Sequence, residues 1–200
     1  MACTEQYQIN NQLLDDLIEL AKETKIKSLD DGCDDFFTEN VNFFSKSYMV
    51  LMCAYLEAYI KSVSKHYISE ISCKINEYKI PSNLLKWSIQ KEKFKVDNEK
   101  DCLKLNVSIS ANDIDKNVSA NPYTTAPFFI RLGIDLNKNS NYSDLSDLVE
   151  TIVNKRNSIV HHNDNATDIT FDDVILNAAK LKDYIKLVDE EIIKAMNDIT

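Results

Sequence analysis

Residues 50–63 read VLMCAYLEAYIKSV, a stretch that is mostly apolar and contains neither glycine nor proline. Its apolar side chains recur at the three- and four-residue spacing of an α-helix and cover a wide arc of that helix. A helix with so wide an apolar arc packs on most sides, so this stretch is predicted to lie in the central helix of the fold. That helix is predicted to run from about residue 35 or 39 to Tyr78, ahead of Pro81.

Three further segments show helical spacing, at about residues 10–29, 142–162 and 170–197. Ser143 is a predicted N-cap, and Thr170 with Asp173 resembles a capping box. The chain has only two glycines and three prolines, which argues against a fold of strands and turns. The sequence therefore predicts an all-α bundle of four or five helices.

The stretch from about residue 91 to residue 141 has weak periodicity, and two of the three prolines fall in it. Short helices are predicted at residues 99–105 and 128–134. The remainder is expected to be an irregular insertion before the helix that begins near Tyr142. Loops of this length in compact domains usually have a function or move. We expect one domain over residues 1–200 that contains this insertion.

The cysteines indicate a reducing compartment. Their number, five, is odd, and no pair has the CxxC spacing. The N-terminus does not resemble a signal peptide, and the longest apolar run is too short and too charged to cross a bilayer. We expect a soluble, cytoplasmic protein that makes no contact with a membrane.

The formal net charge of −9 argues against broad, nonspecific binding of nucleic acid, which needs a basic face. A local basic pocket is still compatible with that charge. Only two of the 23 basic residues are arginines, Arg131 and Arg156. A chain that otherwise uses lysine retains arginine where a planar contact with phosphate matters.

Arg156 lies in the segment KRNSIVHHN, residues 155–163, which also holds two of the three histidines. RNA is cut without a metal when one group deprotonates the ribose 2′-hydroxyl and another protonates the leaving 5′-oxygen. An imidazole suits both steps, and a guanidinium can hold the scissile phosphate. No acidic pair has metal-ligand spacing with a histidine, so we expect neither a metal nor another cofactor.

This segment resembles the HEPN superfamily of bacterial and archaeal defence ribonucleases. The shared features are the Arg-x4-His spacing of Arg156 and His161, the polar Asn157 after the arginine, and a histidine at a helix end. Residues 51–61 are similar to the long early helix of the RiboL-PSP and related standalone HEPN groups, which has an acidic residue on an apolar face. Glu57 is that residue here.

The resemblance implies a role for each of these residues. Arg156 would contact the scissile phosphate, and His161 would be the general base or acid of a cleavage that leaves a 2′,3′-cyclic phosphate and a 5′-hydroxyl. Asn157 would orient the histidine or the phosphate, and Glu57 would hold Arg156 in place. Lys155 and His162 are expected to contact the substrate, and His162 is also an alternative catalytic histidine.

The resemblance also implies partners. HEPN ribonucleases usually form homodimers in which two such motifs face one cleft. We therefore expect a homodimer that cleaves tRNA or other RNA, in the role of a toxin or anti-phage effector. An antitoxin or another defence protein is a further expected partner.

The helical spacing bears on the dimer. Asn157 and His161 are four residues apart and share a helix face, whereas Arg156 lies on a different side. Arg156 and His161 therefore converge poorly within one straight helix. Either the helix unwinds near His161, or a second subunit completes the site.

Simpler interpretations compete with catalysis. The two histidines suit the negative end of a helix dipole, and Glu57 with Lys61 is a normal surface ion pair. A HEPN module that binds nucleotides or protein without cleaving RNA is the alternative function. A plain helical scaffold, with a fortuitous motif, is the third.

Overall fold

The computed structural model describes residues 3–30, 35–76, 79–81, 83–84, 87–88, 102–104, 109–162 and 167–198. Seven helices occur in these residues: α1 (Glu5–Leu29), α2 (Asp35–Glu39), α3 (Val41–Asn76), α4 (Ala111–Asn117), α5 (Pro122–Arg131), α6 (Tyr142–His162) and α7 (Phe171–Asp198). Extended structure in the described part is limited to two three-residue antiparallel strands, β1 (Lys79–Pro81) and β2 (Cys102–Lys104). The fold is all-α, as the sequence predicts.

Helix α3 is the central element. Its wide apolar arc is buried, and the fully buried side chains include Met52, Leu56, Tyr59 and Val63. The long helix that the sequence predicts from residue 35 or 39 is divided at Asn40, which forms a turn between α2 and α3. Residues 77 and 78, at its predicted end, lie outside the described part of the chain.

Helices α1, α3, α6 and α7 form the bundle, and contacts between them fix their directions. Helix α7 runs antiparallel to α1, because Lys25 pairs with Asp172 at one end of the bundle and Thr4 bonds to Asp189 at the other. Helix α7 runs parallel to α3, since Asn177 contacts Met49 near the start of both helices and Lys74 bonds to the Met196 carbonyl near their ends. The start of α3 and the start of α7 therefore lie at the same end of the bundle as the end of α1.

Helix α6 is antiparallel to α7. Asn139, just before α6, donates to Glu191 at 2.8 Å, and Lys155 pairs with Asp168, just before α7, at 2.7 Å. The last two turns of α6, which hold the Arg156–His161 segment, therefore lie near the start of α7. We call this end of the bundle the motif end.

A buried carboxylate joins three of the four bundle helices at the opposite end. Asp189 on α7 is 1% exposed and accepts hydrogen bonds from the Thr4 backbone N–H at 3.0 Å and from the Tyr59 hydroxyl at 3.2 Å. The Thr4 hydroxyl also donates to it. Since a buried carboxylate needs such donors, this network fixes the start of α1 against α3 and α7.

The predicted insertion is more regular than its sequence suggests. Helix α5 begins at Pro122, since the Asn121 side chain accepts from the Tyr123 N–H at 2.9 Å, and it ends at Arg131, before Gly133 with φ +84°. It therefore starts earlier than the helix predicted at 128–134. Phe129 is fully buried, so this helix packs into the core. The helix predicted at 99–105 is wrong at residues 102–104, which form β2, and its other residues lie outside the described part of the chain.

Candidate functional site

Helix α6 carries the candidate residues out of the core as it approaches the motif end. Val149, Ile152 and Val153 are buried against the other bundle helices. In the last two turns the burial decreases: Arg156 is half-buried, and His161 is exposed. A side chain at the end of this helix can therefore reach a ligand while the helix stays fixed by its earlier turns.

Among the described residues, the Arg156 guanidinium has one hydrogen-bond partner. Its Nη1 donates to the Asn157 side-chain oxygen at 3.0 Å. Its Nε is buried and has no hydrogen-bond partner among the described residues. A guanidinium has five N–H donors, so donors remain for an anionic ligand.

Cys53, on α3, shows which part of the central helix faces this guanidinium. Burial raises the pKa of the Cys53 thiol to about 12; the positive charge of Arg156 opposes that shift, and the negative charge of Glu57 adds to it. Both charged groups therefore act on the same buried thiol. The Cys53 thiol therefore lies within electrostatic range of Arg156 and Glu57, and Asn157 is bonded to that arginine.

Glu57 makes its ion pair with Lys61, at 2.7 Å and one helical turn away, and the two side chains are 32% and 26% exposed. The resemblance implies that Glu57 holds Arg156, whereas the spacing alone also allows an ion pair with Lys61. In the described residues its ion-pair partner is Lys61 instead, so any effect on Arg156 acts through charge across Cys53. Lys61 also lies 3.9 Å from Asp115 on α4.

The positions of Arg156 and His161 depend on the regularity of α6. The helix continues through His161 to His162, so it does not unwind at His161. Successive residues of an α-helix are rotated by about 100°, and positions 156 and 161 therefore point about 140° apart. The structure therefore does not show the unwinding of α6 that would bring Arg156 and His161 together within one chain.

Lys155 and His162 are the two residues expected to contact the substrate, and the structure describes the side chain of Lys155 alone. Lys155 pairs with Asp168 at 2.7 Å, so it is directed toward the segment before α7. The His162 side chain lies outside the described part of the structure. The structure therefore gathers Arg156 and Asn157 near Glu57, and it places Lys155 and His161 on other faces of α6.

The sequence does not indicate that Cys53 lies within range of the charges of both Arg156 and Glu57. Its apolar neighbours indicate an inert core residue, and the thiol is indeed fully buried. Nothing in the sequence shows that α3 crosses α6 at this point. A recognisable signal is that Cys53 and Glu57 are four residues apart and therefore share a helix face.

The described residues contain no group of three or more histidine, cysteine, aspartate or glutamate side chains that could hold a metal ion. No helix in the described part of the chain is both long enough and apolar enough to span a membrane. The last two turns of α6 therefore offer two groups for chemistry. One is the Arg156 guanidinium, whose Nε has no partner among the described residues, and the other is the exposed imidazole of His161.

Comparison with known proteins gives one match. The family model of RiboL-PSP-HEPN matches residues 7–194, which is more than half of the chain. The match includes α3, the predicted insertion and the whole of α6. No curated protein and no solved structure matches the chain.

Proposed function

The chain belongs to the RiboL-PSP-HEPN family, and from that membership and the site geometry we propose that it is a metal-independent endoribonuclease. The observation that carries the proposal is the half-buried Arg156 guanidinium, bonded to Asn157 and with donors left over, on a helix end that also presents the exposed His161. Guanidinium and imidazole are the two groups that this cleavage requires.

Arg156 binds the scissile phosphate and stabilises the negative charge that develops on it. The ribose 2′-oxygen loses its proton and attacks the phosphorus, and the bond to the 5′-oxygen breaks as that oxygen gains a proton. His161 performs one of these proton transfers, as general base or general acid, and solvent water accepts or supplies the other proton. The products are a 2′,3′-cyclic phosphate and a 5′-hydroxyl.

The other site residues support these two. Asn157 fixes the orientation of Arg156 through their hydrogen bond. Glu57 is a positioning residue, whose charge favours a guanidinium near Cys53. Lys155 and His162 contribute to substrate binding, and His162 is the alternative to His161.

A second copy completes the site in this proposal. Because α6 is unbroken, one chain directs Arg156 and His161 to different faces, and a homodimer can bring Arg156 of one copy to His161 of the other. The dimer also doubles the few basic groups that one acidic chain offers to RNA.

The biological role that fits is a toxin or anti-phage effector acting in the cytoplasm on tRNA or other RNA. An antitoxin or another defence protein would hold such an activity in check. This role is part of the proposal, and it follows from the family membership together with the destructive nature of RNA cleavage.

The proposal is tested by incubating total RNA with wild type, Arg156→Ala and His161→Ala in the presence of EDTA. We expect cleavage by wild type and a loss of at least about 100-fold in each variant. End-group analysis should find cyclic phosphate and 5′-hydroxyl ends.

Arg131→Ala is the matched control. Arg131 is the other arginine of the chain, it is exposed on α5, and it bonds to the Asn117 side chain at 2.8 Å. This variant should cleave RNA as wild type does. The same RNA pattern with wild type, Arg156→Ala and His161→Ala would refute the catalytic proposal.

The alternative is a HEPN module that binds a nucleotide or protein and does not cleave RNA. The half-burial of Arg156 near Glu57, and the net charge of −9, favour a small anionic ligand over a long polyanion. Saturable binding of RNA or nucleotide that requires Arg156 but leads to no scission would establish this alternative.

A further inference from the structure

A groove of about 630 Å³ lies between α6 and the first half of α7, on the side of α6 that carries Lys155. Its floor is apolar: Met49, Ile152 and Ile169 are buried there, and Leu148 is half-buried. The groove lies next to the neighbourhood of Cys53, because Met49 is one turn before Cys53 on α3 and Lys155 directly precedes Arg156 on α6.

The rim of the groove is acidic. Four aspartates line it, and Lys155 is the single cation among its lining residues. That cation is held by one of the four, Asp168, at 2.7 Å. The aspartates are Asp144, Asp147, Asp168 and Asp173.

Two of the rim carboxylates are fixed by local hydrogen bonds. Asp147 accepts from the Tyr123 hydroxyl at 2.7 Å, and Asp173 accepts from the Thr170 N–H and hydroxyl. Those bonds to Thr170 lower the pKa of Asp173, so its charge is maintained at neutral pH. A preorganised acidic rim repels RNA phosphates and attracts cations.

The length of the groove indicates the size of its ligand. Its lining residues on α6 extend from Asp144 to Lys155, which corresponds to about 16 Å along the helix. That is about three helical turns, long enough to accept the i, i+3, i+4 and i+7 side chains of a short amphipathic helix, which span about 10.5 Å. Apolar floor, acidic rim and length together describe one kind of partner.

We infer that this groove docks a short basic amphipathic helix of a partner protein. Apolar side chains of that helix contact Leu148 and the floor around Met49, and its lysines or arginines lie against the rim aspartates. The inference goes beyond the proposed function, since it does not require RNA cleavage, although Lys155 lines the groove and is also assigned to substrate binding there.

The test uses a labelled helical peptide of about 12 residues, with leucines at the i, i+3, i+4 and i+7 positions and lysines elsewhere. Fluorescence anisotropy with the full chain should show saturable binding. Thr151 is exposed and lines the groove, so Thr151→Trp should fill the groove and abolish binding without disturbing the core. Asp144→Asn with Asp147→Asn should weaken binding at least about tenfold.

A matched control separates docking from general charge attraction. Asp16→Asn with Glu23→Gln removes the same charge from exposed positions on α1, and it should leave the affinity unchanged. An equal loss in the control and in the groove variant would overturn the inference, as would the absence of saturable binding to wild type.

Two further outcomes would assign the groove to another occupant. If Thr151→Trp converts a dimer to a monomer in sedimentation, the groove is an interface between copies of this chain. If Thr151→Trp weakens RNA binding while peptide binding persists, the groove belongs to the RNA path. Either result overturns the inference, and a groove that proves to be an interface between copies would also identify the dimer that the proposed function requires.

Discussion

The two arginines of the chain have different surroundings. Arg131 is exposed and bonds to the Asn117 side chain, whereas Arg156 is half-buried, bonds to Asn157 and has a buried Nε without a partner in the described residues. The sequence distinguishes them only through the histidines that follow Arg156. Burial next to Cys53 is what gives Arg156 a fixed position, and the sequence could not show that.

The buried thiol of Cys53 gives a prediction at the residue scale. Since burial raises its pKa to about 12, Cys53 stays a protonated thiol at pH 8, and the thiolate is the form that reacts with alkylating reagents. Cys3 and Cys73 are exposed. Iodoacetamide at pH 8, read by peptide mass spectrometry, should therefore label Cys3 and Cys73 in the native protein and label Cys53 only after unfolding.

Cys3 and Cys73 are the internal controls for this measurement. Labelling of native Cys53 at the rate of these two would mean that the thiol is not enclosed by α3 and α6, and the described neighbourhood of Arg156 would then be wrong.

Glu57 shows the limit of prediction at this scale. The sequence allows two interpretations, a clamp on Arg156 and an ion pair with Lys61. The structure shows the ion pair, and it also places Glu57 close enough to Cys53 to raise the pKa of that thiol. The i,i+4 spacing made the ion pair predictable, but the approach to Cys53 and Arg156 depends on how α3 and α6 cross.

At the scale of the element, helix boundaries follow the local capping chemistry. The sequence predicts a capping box at Thr170 and Asp173, and α7 begins at Phe171 with that box formed. It places the start of α1 near Asn10, whereas α1 starts at Glu5 because Thr4 accepts a hydrogen bond from the Tyr7 N–H. The early turns of α1 are polar, so apolar periodicity could not reveal them.

The capping box gives the prediction at this scale. Asp173→Ala should reduce the free energy of unfolding by about 1 kcal/mol at pH 7, because two donors of Thr170 lose their acceptor. The pKa of Asp173 is lowered in the folded state, so its contribution is present above the unfolded value of about 3.8 and is lost as the pH falls through the lower folded value. Urea denaturation at pH 7 and pH 3 measures both effects.

Asp172→Ala is the matched control on the same helical turn. Asp172 pairs with Lys25 at 2.7 Å and is 69% exposed, so its removal should cost only a few tenths of a kcal/mol. An equal loss of stability in the two variants at pH 7, or a difference that does not become smaller between pH 7 and pH 3, would contradict the capping account.

At the scale of the whole molecule, the architecture is set by how four long helices, α1, α3, α6 and α7, pack against one another. The sequence predicts these helices and the central position of α3, and both predictions are confirmed. It does not predict that α3 and α7 run parallel, because that direction results from contacts far apart in the chain, such as Lys74 with Met196. The direction of α6 matters most for the proposed RNA cleavage, since it brings the Arg156–His161 segment to the motif end.

The network around Asp189 gives a stability prediction at this scale. The Tyr59 hydroxyl donates to the Ile185 carbonyl at 3.1 Å and to Asp189 at 3.2 Å. Tyr59→Phe leaves a buried carboxylate with one donor fewer, so the free energy of unfolding should decrease by about 1–3 kcal/mol. Urea denaturation of the full chain measures this change.

Tyr184→Phe is the control, since Tyr184 is as buried as Tyr59, at 1% exposed, but its hydroxyl lies near the Tyr142 hydroxyl and not near a carboxylate. Removing a buried hydroxyl that serves no carboxylate should cost less than removing one that does, because bonds to charged groups contribute more. A larger loss for Tyr184→Phe than for Tyr59→Phe would show that Asp189 does not join α1, α3 and α7 as described.

The central claim is that Arg156 of one copy and His161 of another act on the same phosphodiester. It is tested most directly by co-expressing Arg156→Ala and His161→Ala chains with different tags and purifying the mixed dimer. One of its two sites then keeps both an arginine and a histidine, so the account predicts about half of the wild-type rate of RNA cleavage. Each variant alone should be inactive, and an equally inactive mixed dimer would contradict the account.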